Sequence, residues 1–146
     1  MMKKNVDSYV VHNPDKFAQF VIAASGFVIA NAIDAAKELE VAHGIPTRVI
    51  NVVNQKTLAH RVESCLDNTA PVLTVYNGNP STLHSNLSAA VMNNRNIDFR
   101  PKFIAALGFT GGTSGKFEQL EHYYQLDAQG ILNRVLHALT ESRKLK

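Results

Sequence analysis

Apolar and polar positions in this chain fall into blocks, with short apolar runs separated by stretches of helical spacing. Phe20, Val21, Ile22, Ala23 and Ala24 form a continuous apolar run, the pattern of a strand buried on both faces. Ser25-Gly26 interrupts it. Apolar residues then recur at Val28, Ala32, Ile33, Ala35, Ala36 and Leu39, which places them on one stripe of a helix. His43-Gly44 ends that helix, because glycine adopts the left-handed cap conformation without steric cost. Pro46 follows, where a helix cannot continue. The β-branched residues Val49, Ile50, Val52 and Val53 predict the next strand. Residues 20–53 therefore read as a βαβ unit, since a parallel strand pair requires a crossover.

The same logic covers the rest of the chain. Tyr9-Val10-Val11 predicts a short first strand, and His12-Asn13-Pro14-Asp15 a turn. A helix is expected over 55–66, with Leu58, Val62, Cys65 and Leu66 on one face. Residues 71–76 read as a buried strand. Asn77-Gly78-Asn79-Pro80 is the strongest turn signal in the sequence. Ser81 is the expected N-cap of a helix over 82–92, with Leu83, Leu87, Ala90 and Val91 inward. A last strand is predicted over 102–107, then a Gly/Thr/Ser loop over 108–115. Two helices close the chain, one over 116–124 and one opening at Asp127 as N-cap. Regular alternation of strands and helices predicts a three-layer α/β/α sandwich around a mostly parallel sheet, as a single domain over 1–146.

Composition narrows the function classes. A chain of 146 residues, 45% hydrophobic and 18% charged, matches an ordinary globular domain able to bury a core without staples. Much of the basic side of its net charge of +3 comes from the two ends, at Lys3, Lys4, Arg143, Lys144 and Lys146. There is no basic stripe with interleaved aromatics, so no nucleic-acid partner is expected. Cys65 is the only cysteine, which excludes an intrachain disulfide and suits a reducing compartment. Its helical neighbours Val62 and Leu66 favour a packing role. No apolar run is long enough to span a membrane, and no signal-peptide hydrophobic region follows the first residues. The expected location is the cytoplasm, with no membrane partner.

Candidate chemistry is sparse. GxGxxG, GxxxxGK[ST], CxxC, HExxH and GxSxG are all missing, so nicotinamide, nucleotide-hydrolase, zinc and serine-hydrolase signatures are missing too. Six histidines stand at 12, 43, 60, 84, 122 and 137, none at zinc-ligand spacing. His84 follows the Asn77-Gly78 turn on the C-terminal side of a strand, where α/β sites open. The Ser25-Gly26 turn offers backbone N–H groups and a hydroxyl at a helix start, which suits either an anion or a simple cap. The loop Gly111-Gly112-Thr113-Ser114-Gly115 offers close backbone approach and hydroxyl donors, or serves as a flexible connection. The candidate ligand-binding set is thus Ser25, Gly26, Asn77, Gly78, His84, Gly112, Thr113 and Ser114. Its ligand would be a small anionic metabolite, a sugar phosphate or nucleotide, at the C-terminal edge of the sheet. No catalytic or metal-binding residue is assigned. A self-sufficient enzyme would have to draw on Ser25, Cys65 and His84, which lie far apart in sequence and show no base beside a nucleophile.

Four stretches, in order, carry a family resemblance. IAASG followed by AIDAAKEL, within residues 20–39, looks like the opening IASGSEV…AL.AA..L. Residues 44–51, GIPTRVIN, look like GI.vRVV. Residues 72–78, VLTVYNG, match a strand written V.TVE.G. Residues 108–131, GFTGGTSGKFEQLEHYYQLDAQGI, resemble the closing G…G.SG….L….gLd..GI. Together they resemble the C-terminal domain of transketolase-like, thiamine-diphosphate-dependent enzymes. The resemblance implies a five-stranded mixed sheet whose first strand, Tyr9-Val10-Val11, runs antiparallel to the others. It implies a scaffold and assembly role, with transketolase-like domains or subunits as partners in a homodimer or hetero-oligomer, and ketol transfer only as part of that assembly. Thiamine diphosphate and magnesium would be held by the family's other two domains, whose motifs are absent from this sequence. Tyr76-Asn77 stands where the family commonly has a glutamate before the glycine, so any role of that carboxylate is lost here.

Overall fold

The computed structural model describes residues 9–15, 17–53, 65–66, 70–108, 124 and 126–144. Its central strand is β2 (Phe20–Ser25). Parallel to it on one side lies β3 (Thr47–Asn51), and on the other β4 (Val72–Tyr76). The edges are β1 (Tyr9–His12), antiparallel to β3, and β5 (Phe103–Leu107), parallel to β4. The sheet is five-stranded, in the order β1-β3-β2-β4-β5. The expected mixed sheet with one antiparallel strand is therefore present.

Alternation along β2 builds two cores. Phe20, Ile22 and Ala24 point to one face, with Val49 of β3 and Leu73 and Val75 of β4. That face is covered by α1 (Ile29–His43), through Ala32, Ala35, Ala36 and Leu39, and by α3 (Ala128–Lys144), through Ile131, Leu132 and Val135. Val21 and Ala23 point the other way, with Ile50 and Val72. Leu83, Leu87 and Val91 of α2 (Pro80–Met92) cover them, joined by Cys65 and Leu66. Three layers result, because a strand with apolar side chains at every position must be covered twice.

Helix ends follow local chemistry. Gly44 sits at φ 64°, ψ 30° and its N–H donates to the Leu39 carbonyl, the left-handed stop expected at His43-Gly44. At α2 the cap is not Ser81, as the sequence suggested, but Asn79. The Asn79 side chain accepts from the Ser81 N–H at 2.9 Å and from the Ser81 hydroxyl at 2.7 Å, and Pro80 takes the first helical position. Asp127 does cap α3, accepting from the Gly130 N–H at 2.9 Å. β3 stops at Asn51, before the β-branched run ends; Val52 is buried beyond it, donating its N–H to the Ala24 carbonyl at 2.8 Å. The helices expected over 55–66 and 116–124 lie outside the described residues, apart from Cys65, Leu66 and Tyr124.

The antiparallel edge strand is held by a polar clamp. His12 Nε2 and Glu40 Oε2 are 2.7 Å apart, and the same carboxylate oxygen accepts the Thr47 N–H at 3.3 Å. One side chain of α1 thereby ties β1 to the first residue of β3.

Two substitutions test this architecture by urea denaturation. Ile22→Ala, at a site with no solvent exposure, should lower stability by about 2–5 kcal/mol. Gly44→Ala should cost only about 1–2 kcal/mol, since an added methyl meets nothing within 4 Å and the penalty is backbone strain alone.

Candidate functional site

From β2 the chain crosses first to β3 on one side and then to β4 on the other. The C-terminal ends of β2 and β4 therefore flank the topological switch point, where open α/β sheets usually admit ligands. Four of the residues predicted from the sequence meet there. Ser25 is the last residue of β2 and pairs in register with Tyr76, the last of β4. Gly26 and Asn77-Gly78 follow directly.

Among the described residues, the junction is packed by its own side chains and backbone. Gly26 adopts φ 90°, a conformation that an L side chain rarely takes. The Asn77 side chain lies against its α-carbon, so that a methyl group on residue 26 would overlap the amide. The Asn77 N–H donates to the Ser25 carbonyl at 3.3 Å. The Ser25 hydroxyl donates to the Val52 carbonyl at 2.8 Å and makes no cap contact with the helix. Its single proton is thus spent on joining β2 to the end of β3. A 3₁₀ turn, Gly26–Val28, separates it from α1, which opens at Ile29. Gly108, at the end of β5, lies so close to the Gly78 carbonyl and the Pro80 backbone that no side chain fits. The β2, β4 and β5 ends are packed on one another.

His84 is placed elsewhere. Its ring meets Phe103 edge-on, with centroids 5.4 Å apart and planes at 89°. Phe103 pairs with Val72, at the N-terminal end of β4, roughly 13 Å along the strand from Tyr76. The His84 Nδ1 atom is buried without a hydrogen-bond partner among the described residues, as is Thr74 Oγ1. Gly112, Thr113 and Ser114 lie outside the described residues. Sequence reasoning did not foresee the roles of Asn77 and Gly108 as packing elements. The Asn-Gly turn and a glycine directly after an apolar strand were the available signals.

Thiamine diphosphate with its metal, the group that the resemblance implies for the whole assembly, does not fit this junction. The Asn77 side chain occupies the space beside the Gly26 α-carbon that such a group would have to enter. No group of three or more His, Cys, Asp or Glu side chains that could hold a metal ion occurs among the described residues. No helix among them is long and apolar enough to cross a membrane.

The profile of the family described as Transketolase, C-terminal domain, matches residues 14–131. The chain belongs to the transketolase C-terminal domain family. Solved structures agree on the fold. A split-gene transketolase, described as an inactive β4 tetramer, superposes with a TM-score of 0.71 at 23% identity, over 91% of this chain and 42% of that one. Transketolase from Leishmania mexicana superposes at 0.67 with 19% identity, over 92% of this chain and 18% of that one. A Pichia stipitis transketolase variant gives 0.66 with 22% identity, over 94% and 18%. The chain thus spans less than half the length of these neighbours. No curated protein sequence matches it.

The closed junction makes a coupled prediction. Gly26→Ala alone should destabilise the domain, and Asn77→Ala should relieve the overlap but not the positive-φ strain. The two changes should therefore be non-additive by about 0.5–3 kcal/mol in a double-mutant cycle read by thermal or chemical melting. Gly108→Ala meets the backbone of Gly78 and Pro80, and no change at residue 77 should rescue it.

Proposed function

We propose that this transketolase C-terminal domain is a structural and assembly module. It is inactive alone, and it contributes to thiamine-dependent ketol transfer only beside chains that carry the two cofactor-binding domains. The observation that carries this reading is the match of residues 14–131 to the family of transketolase C-terminal domains. Two further facts support it. Among the described residues, the Asn77 side chain packs over Gly26 between the ends of β2 and β4, which favours packing over ligand binding at that joint. Solved relatives are longer chains, of which this one spans 42% and 18%. In this reading thiamine diphosphate and magnesium belong to the partner chains. The residues of this chain orient and stabilise those chains without touching the reacting atoms.

Reconstitution tests the reading. The purified chain should show no ketol transfer. Mixed with chains carrying the two cofactor-binding domains, thiamine diphosphate and magnesium, it should co-elute with them in gel filtration and raise their transfer rate. If calorimetry detects no association with such chains, the assembly reading fails.

A further inference from the structure

The bend between β4 and α2 has a chemical property besides its packing. The chain has 13 asparagines, and only Asn77 precedes a glycine. That order matters because the carboxamide carbon of an asparagine lies within reach of the next residue's backbone nitrogen. A side chain on that next residue hinders the approach, and Gly78 has none.

Both reacting groups are unengaged. Asn77 and Gly78 are half-buried, so water reaches them, and they belong to neither β4 nor α2. The Asn77 carboxamide packs on the Gly26 α-carbon by contact alone. It has no hydrogen-bond partner among the described residues, and neither has the Gly78 N–H. Other asparagines are restrained. Asn79 is followed by Pro80, which has no N–H to react. Asn94 and Asn96 each accept the backbone N–H two residues on, at 2.8 and 3.0 Å. Asn31 lies within α1 and donates to the Leu126 carbonyl at 3.0 Å.

We propose that Asn77 is a site of spontaneous deamidation, with Gly78 supplying the nucleophile. Hydroxide removes the Gly78 amide proton, and the nitrogen forms a bond to Cγ of Asn77. The Cγ–Nδ2 bond breaks, and the leaving nitrogen takes a proton from water and departs as ammonia, which regenerates hydroxide. The cyclic imide then takes up one water. Opening at Cγ gives aspartate. Opening at the main-chain carbonyl gives isoaspartate, whose main chain runs through Cβ. Nothing is oxidised or reduced in either step.

The products alter the joint. Each puts a carboxylate where a neutral amide packs on Gly26, and a half-buried charge without a donor is costly. Isoaspartate also adds a main-chain atom between Tyr76 and Gly78. The Asn77 N–H bond to the Ser25 carbonyl and the seat of the Gly78 carbonyl against Gly108 cannot then both keep their spacing. The contact between the ends of β2 and β4 therefore loosens with age, and faster at alkaline pH.

The test is to hold the folded 146-residue chain in mildly alkaline buffer and follow its peptides by mass spectrometry. The peptide containing Asn77 should gain the amide-to-acid mass difference before any other asparagine peptide does. It should separate into two forms of equal mass, at a rate that rises with pH. That rate should lie within about tenfold of the rate in guanidinium chloride, because opening an irregular bend costs little. Gly78→Ala should slow the reaction by about tenfold, since its methyl group hinders the approach that glycine allows. An added methyl also meets the Tyr76 ring at 2.9 Å, so this variant is compared in guanidinium chloride, where folding plays no part. The isoaspartyl fraction, once purified, should melt at a lower temperature than the fresh chain. An Asn77 that stays intact in the folded chain while reacting in guanidinium chloride overturns the proposal. So does an earlier reaction at another asparagine, or an isoaspartyl fraction that melts no lower than the fresh chain.

Discussion

The double burial of β2 is the constraint on which the rest of the structure depends. Every residue from Phe20 to Ala24 has no solvent exposure. No single helical layer can achieve that, since successive side chains leave a strand on opposite faces. Phe20 and Ile22 demand α1 and α3 on one side, while Val21 and Ala23 demand α2 on the other. The parallel neighbours β3 and β4 then follow, because crossovers on each face are what supply the helices.

That constraint also bears on the packing at the C-terminal ends of β2 and β4. Strands held so firmly in register bring the ends of β2 and β4 side by side, and the chain must turn twice in little space. Asn77 fills the gap over Gly26, and Gly108 admits the Gly78 carbonyl. The same geometry that makes a ligand crevice in other α/β sheets here makes a packed joint. Ser25, Gly26, Asn77 and Gly78 adjoin one another at this joint, and Asn77 is hydrogen-bonded to Ser25 and packed on Gly26.

Much of the fold was legible because it is written in local pattern. The apolar run at 20–24, the left-handed stop at Gly44 and the Asp127 cap each depend on residues within one or two turns. The misread cap at α2 shows the limit. Ser81 and Asn79 are both good capping residues, and the choice fell to Asn79 because Pro80 suits the first helical position. The end of β3 was likewise missed, since Val52 and Val53 have strand propensity but lie past the pairing of β2 and β3. The candidate site was less legible. Spacing can say that Ser25, Asn77 and His84 all follow strands or turns. It cannot say that the Ser25 hydroxyl turns to Val52, or that the His84 ring turns to Phe103. Those outcomes depend on contacts 27 and 19 positions away in sequence.

The overlap of Asn77 with the α-carbon of Gly26 has a consequence for how this sequence can drift. Residue 26 is confined to glycine twice over, by its backbone angle and by the amide that covers it. Residue 77 is free to shrink but not to branch toward its neighbour. The two positions, 51 apart in sequence, are therefore coupled: a side chain at position 26 requires the Asn77 amide to swing aside or to give way to a smaller residue. A change at either one is read against the residue at the other, so the two are expected to drift as a pair.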